Sequence, residues 1–69
     1  MTDKLLQAIN AGDRKAVLED AEKRIQRMKG ECVQIVSFLD RIGSRKAADL
    51  LDHAIGELAK ASLEVRKEL

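Results

Sequence analysis

The ten residues LDRIGSRKAA at positions 39–48 decide the fold. Gly43 suits the left-handed backbone conformation that closes a helix, and Ser44 directly after it is a preferred N-cap for the next one. Before this signal a helical pattern runs unbroken from Asp13 to Ile42; after it the pattern resumes and continues to Leu69. Two long helices joined by so short a stop and start make an αα-hairpin.

The two helices carry matched seams. The first presents Leu18, Ala21, Ile25, Met28, Cys32, Ile35, Leu39 and Ile42, and the second Ala48, Leu51, Ile55, Leu58, Ser62, Val65 and Leu69. Spacings of three and four alternate in both, which is the heptad pattern that closes helices on one another. If the chain reverses at Gly43 and Ser44, facing residues have numbers with a nearly constant sum. The pairs Leu39 with Ala48, Ile35 with Leu51, Cys32 with Ile55, Met28 with Leu58, Ile25 with Ser62, Ala21 with Val65 and Leu18 with Leu69 all sum to 86 or 87. Several of them set a large side chain against a small one, as interdigitating layers prefer.

Upstream, Thr2 and Asp3 are candidate caps for a short helix carrying Leu5, Leu6, Ala8 and Ile9, ended by Gly12, with Asp13 capping the long helix that follows. The expected organisation is all-α: one domain over residues 1–69, with a short helix at 2–11 and long helices at 13–42 and 45–69. The short helix is expected to cover the open end of the hairpin near Leu18 and Leu69. Composition agrees. With 69 residues, 45% apolar and 36% charged, one aromatic and no proline, the chain has room for one small core and the character of long helices. A two-domain enzyme is excluded, and the near absence of aromatics and β-branched runs argues against a small all-β barrel.

Two helices cannot enclose a core. Val33, Val36 and Phe38 on the first helix, and Leu50, Leu63 and the row Ala47, Ala54, Ala61 on the second, lie outside the seam. Left in water, this surface forgoes roughly 25 cal/mol per Å². The alanine row admits a close backbone approach. The reading is a homodimer that forms a four-helix bundle, with Val33, Val36, Ala47, Leu50, Ala54 and Ala61 at the interface.

Charge and cysteine usage narrow the function. Thirteen basic and twelve acidic side chains are interleaved and leave a net charge of +1, which provides no field to hold a polyanion or an acidic membrane. A single cysteine cannot form an intramolecular disulfide and fits a reducing cytoplasm. The first twenty residues include Asp3, Asp13, Glu19 and Asp20, so neither a signal peptide nor a membrane-spanning helix is expected.

Catalytic equipment is sparse, and no enzyme, cofactor or metal site is expected. His53 has Asp49 one turn before it and Asp52 beside it, but no second histidine or cysteine is placed to complete a metal site; it reads as a solvated residue. Cys32 sits on the seam as a small hydrophobe. The glycines at 12, 30, 43 and 56 share no phosphate-loop spacing. Gly30 and Gly56 fall at one level of the hairpin, either as tolerated surface glycines or as a waist or notch for a partner backbone.

Lys23, Arg24, Arg27 and Lys29, with Arg41, Arg45 and Lys46 at the turn, raise the question of phosphate binding, as in Rop-like hairpin dimers that clasp RNA loops. Glu19, Asp20, Glu22, Glu31, Asp40 and Asp49 are interspersed with them, and no Tyr or Trp is present to stack a base. Direct nucleic-acid binding is therefore disfavoured, and a protein partner favoured. Arg24, Arg27, Met28, Phe38 and Arg41 combine the residue types enriched at interface hot spots. Phe38 either closes the dimer or meets the partner.

A 69-residue helical hairpin that begins MTDKLLQAIN and is built for dimerisation resembles the small anti-quorum-sensing proteins of Mu-like Pseudomonas phages. The resemblance covers the whole chain through size, architecture and general sequence character. It implies a dimeric helical inhibitor in the host cytoplasm that binds a LuxR-type quorum-sensing activator and blocks its DNA binding, with the type IV pilus assembly ATPase as a second target. Two other classes stay open. One is a phage sponge for cyclic oligonucleotide signals that clamps phosphates with Arg24, Arg27 or Arg45. The other is an RNA-binding bundle of the Rop kind.

Overall fold

A computed structural model describes residues 3–69; the cap assigned to Thr2 lies outside these. Three helices follow in order: α1 (Lys4–Asn10), α2 (Arg14–Arg41) and α3 (Arg45–Glu68). Each boundary has a local cause. Asp3 accepts the Leu5 N–H at 2.8 Å and opens α1, and Asp13 accepts the Ala16 N–H at 3.1 Å and opens α2. Gly12 and Gly43 adopt φ of 70° and 79°, the left-handed region that a side chain resists. Around Gly12 the Asp13 N–H bonds to the Ala8 carbonyl and the Gly12 N–H to that of Ile9. Around Gly43 the Ser44 N–H bonds to Leu39 and the Gly43 N–H to Asp40. Both are Schellman closures, which satisfy the last carbonyls of a helix while turning the chain. Ser44 occupies the N-cap of α3 but its hydroxyl makes no cap hydrogen bond.

The chain reverses at Gly43, and α3 packs antiparallel along α2. The helices are in the expected register: Gln26 Nε2 donates to Ser62 Oγ at 2.8 Å, and Arg66 Nε donates to Glu22, both pairs within two residues of the predicted sum. Arg14 closes the open end on Glu68 at 2.7 Å. The Arg14–Glu68 pair is largely exposed and the Glu22–Arg66 pair partly so, and an exposed pair contributes at most about 1 kcal/mol.

The seam on α3 lies where the sequence places it, with Ala48 and Ser62 buried and Leu51, Ile55, Leu58 and Val65 partly so. The seam on α2 is shifted. Ile25, Cys32 and Leu39 face α3 as expected, but Met28, Ile35 and Ile42 are 46%, 47% and 77% exposed, while Lys29 and Val36 are half-buried in their stead. A single partner helix covers only a narrow arc. Residues at three or four from the central row lie on opposite flanks of that arc, and α3 leans over the flank of Glu22, Lys29 and Val36.

α1 packs on α2 alone, through Leu5 and Ala8, and Arg24 bonds to Asp3. The expected cover over Leu69 is absent: Leu6, Ile9 and Leu69 are about half exposed. The molecule measures 47 × 30 × 12 Å, a single layer of helices. Its accessible surface is 5438 Å², against about 4,300 Å² for a compact monomer of 7.7 kDa. Ala48 is its sole buried apolar residue among those described. None of these helices is long and apolar enough to cross a membrane.

Candidate interaction face

A single layer has two broad faces, and helical rotation of about 100° per residue assigns side chains to each. On α2, taken from the Ile25, Cys32, Leu39 row, Met28, Ile35 and Ile42 turn to one face and Glu22, Lys29, Val33 and Asp40 to the other. On α3, taken from Ile55, the residues Ala47, Leu51, Ala54, Leu58 and Val65 turn to one side and Asp49, Asp52, Gly56 and Leu63 to the other. Because the helices are antiparallel, equal rotational senses fall on the same face of the layer. The hairpin therefore has one apolar face and one polar face, and the Glu22–Arg66 pair lies on the polar one.

The apolar face is edged by Phe38 on α2 and by Leu50 and Ala61 on α3. Phe38 is 60% and Leu50 71% exposed, so this surface is bare within one chain. From Ser44 to Val65 the apolar side of α3 holds no charged residue. On α2 it holds Asp20, Arg24 and Glu31, and Arg24 is already engaged. Asp3 accepts a hydrogen bond from its Nη2, and Asp20 Oδ2 lies 2.8 Å from its Nε, off the N–H axis, as an ion contact. The bond from Arg24, reinforced by the Leu5 N–H, holds the Asp3 carboxyl below its ordinary value of 3.8 and raises the Arg24 guanidinium.

The residues proposed for a partner divide accordingly. Met28 and Phe38 share the apolar face. Arg27 and Arg41 lie outward of it on α2, fourteen residues and so about 21 Å apart along the helix axis. Arg24 is held by its two carboxylates. Of the residues read as a dimer interface, Ala47, Leu50, Ala54 and Ala61 gather on the apolar face. Val36 turns into the seam, and Val33 projects from the polar face at 53% exposure. Met28 and Ile35, assigned to the seam from sequence, are the large residues the interface reading lacked. Their exposure was signalled only by the width of the arc one helix can cover.

Other candidates remain apart. The run from Lys23 to Lys29 is dispersed around α2, with Lys29 half-buried toward α3 and Lys23 and Arg27 facing outward. His53 borders a shallow depression on the outer side of α3 with Asp49, Asp52, Gly56, Glu57 and Lys60. Cys32 is half-buried in the seam. Among the described residues no group of three or more His, Cys, Asp or Glu is placed to hold a metal ion. A Cβ at Gly30 or Gly56 meets nothing within 4 Å, so no backbone among the described residues uses either as a notch.

No protein-family model matches this chain, and neither a curated protein nor a solved structure shows significant similarity to it.

Proposed function

We propose that this protein is a stoichiometric protein-binding inhibitor that works as a homodimeric four-helix bundle. The observation that carries this reading is the one-layer hairpin with a bare apolar face, where Phe38, Ile42 and Leu50 are each at least 60% exposed. Burial of apolar surface drives most protein association, and a face of this kind marks an interaction site. The resemblance to phage anti-quorum-sensing proteins supplies the target: a LuxR-type transcription activator in the host cytoplasm, blocked from DNA, with the type IV pilus assembly ATPase as a second target. Binding of this kind occupies a surface and turns nothing over.

The test is a gel-shift titration of a purified LuxR-type activator on its operator, paired with affinity capture of the activator by the tagged protein. Loss of the shifted band should track the molar ratio of the two proteins and be complete near equivalence. An activator that still binds DNA at a tenfold excess overturns the target. Recovery of RNA or a cyclic oligonucleotide in stoichiometric amount, with no protein, replaces the reading with a nucleic-acid or nucleotide binder. Arg24 is a weak candidate for such a phosphate clamp because Asp3 and Asp20 already neutralise it.

A further inference from the structure

The dimeric reading above leaves open which face of the layer meets the second copy. We propose that a second copy of this chain seats on the face formed by Met28, Ile35, Phe38, Ile42, Leu50 and Ala54, and that the face bearing Val33 and Leu63 stays outside the dimer. This rests on the dimeric reading and adds the surface and its boundary.

Area argues first. The chain exposes about 1,100 Å² more than a compact monomer of its mass, and a stable interface removes about 800 Å² from each partner. The missing burial is of the size that one copy supplies to another. A two-fold contact also requires a patch that is complementary to itself. The apolar face meets this requirement because large side chains of α2 lie beside a row of alanines on α3. Either helix of the mate can then bring bulk to the alanines or small residues to the bulk.

Charge argues second. A second copy adds its own charges to those already on the face, so a face that pairs with itself must carry few unpaired ones. On the apolar face Arg24 is paired with Asp3 and Asp20 within the chain, which leaves Glu31, between Met28 and Phe38, as the one charge there without an ion pair among the described residues. The opposite face carries Glu22, Lys29, Asp40, Asp49 and Asp52. Val33 and Leu63 are isolated there, which is ordinary for a solvated surface.

The short helix extends the same face. Val17 and Ile35 are eighteen residues apart, five whole helical turns, and so point the same way. Ile9 shares an open cleft with Val17, which places the bare flank of α1 beside the apolar face at the open end of the hairpin.

The experiment is sedimentation or light scattering of the full chain at micromolar concentration, with helicity followed in parallel. Four single variants are compared: Ile35→Glu and Leu50→Glu on the apolar face, Val33→Glu and Leu63→Glu on the other. The wild type should have the mass of two chains. Each apolar-face variant should weaken the dimer at least about 30-fold, because the substitution enters the contact twice by symmetry. The other two should leave the mass unchanged. If Leu50→Glu instead loses helicity while the control pair does not, the proposal stands, since a side chain 71% exposed in one chain supports the fold only through another, and Ile35→Glu is scored by the mass of the helical protein alone. Dissociation by Val33→Glu or Leu63→Glu, or a dimer indifferent to all four, overturns the assigned face and leaves the dimer in place. A wild type with the mass of one chain overturns both.

Discussion

At the scale of single residues, the sharpest information comes from Gln26 and Ser62. Ser62 is the one polar residue buried among those described, and it accepts the Gln26 amide across the seam. Such a bond fixes register because sliding the helices by a turn separates the pair and strands a buried hydroxyl. Ser62→Ala is expected to cost about 1 kcal/mol in urea unfolding, and a double-mutant cycle with Gln26→Ala should recover a coupling of similar size. Ser62 was legible as a seam position by its spacing, but its partner was not, because Gln26 lies off the heptad stripe. The glycines are legible from chemistry alone. Gly30 and Gly56 lie inside helices with open space around them, so Gly30→Ala and Gly56→Ala should each raise stability by up to about 1 kcal/mol. Gly43→Ala should lower it by about 1–2 kcal/mol, since φ there is 79°. Melting of the three variants side by side checks the signs.

Among the elements, the caps separate what looks alike in sequence. Asp13 and Ser44 both occupy N-caps, yet only Asp13 accepts a hydrogen bond from its helix. Asp13→Ala should cost about 1 kcal/mol and Ser44→Ala distinctly less, measured by chemical unfolding. The docking of α1 depends on the carboxylate of Asp3. Its folded value is depressed by Arg24, so the contribution is fully present above 3.8, begins to fade as the pH drops below it, and is lost once the pH passes the depressed value. Protection of the Leu5 and Leu6 amides, measured against their intrinsic exchange at each pH, should therefore fall in that acid range while the α2–α3 seam stays protected, and Asp3→Asn should show the lower protection at neutral pH. The existence of α1 was readable from Asp3 and Gly12. Its seat on α2 was not, because the Asp3–Arg24 contact joins residues 21 positions apart that no local pattern connects.

For the whole molecule, a layer 12 Å thick with one buried apolar residue among those described is a poor isolated fold, since domains ordinarily bury a core between two layers. The dimeric reading predicts a melting midpoint that rises with protein concentration, because mass action stabilises what binds only the folded state. Calorimetry over a hundredfold range of concentration checks this, and a constant midpoint contradicts it. The proposed face also resolves the two roles considered for Phe38. It places Phe38 and Met28 against the second copy and leaves Arg27 and Arg41, toward the outer side of α2, for a different partner.

By itself the sequence determined the hairpin. Gly43 and Ser44 set the reversal, two alternating seams set the pairing, and the turn fixed which residues meet, because all of these depend on local conformation and on helical period. Only the tertiary structure decided which flank of α2 is covered. Lys29 and Met28 are neighbours on either side of the same seam, and the period admits both. The lean of α3 half-buries Lys29 and leaves Met28, Ile35 and Ile42 between 46% and 77% exposed, and that lean is a property of two helices packed together that neither seam carries alone.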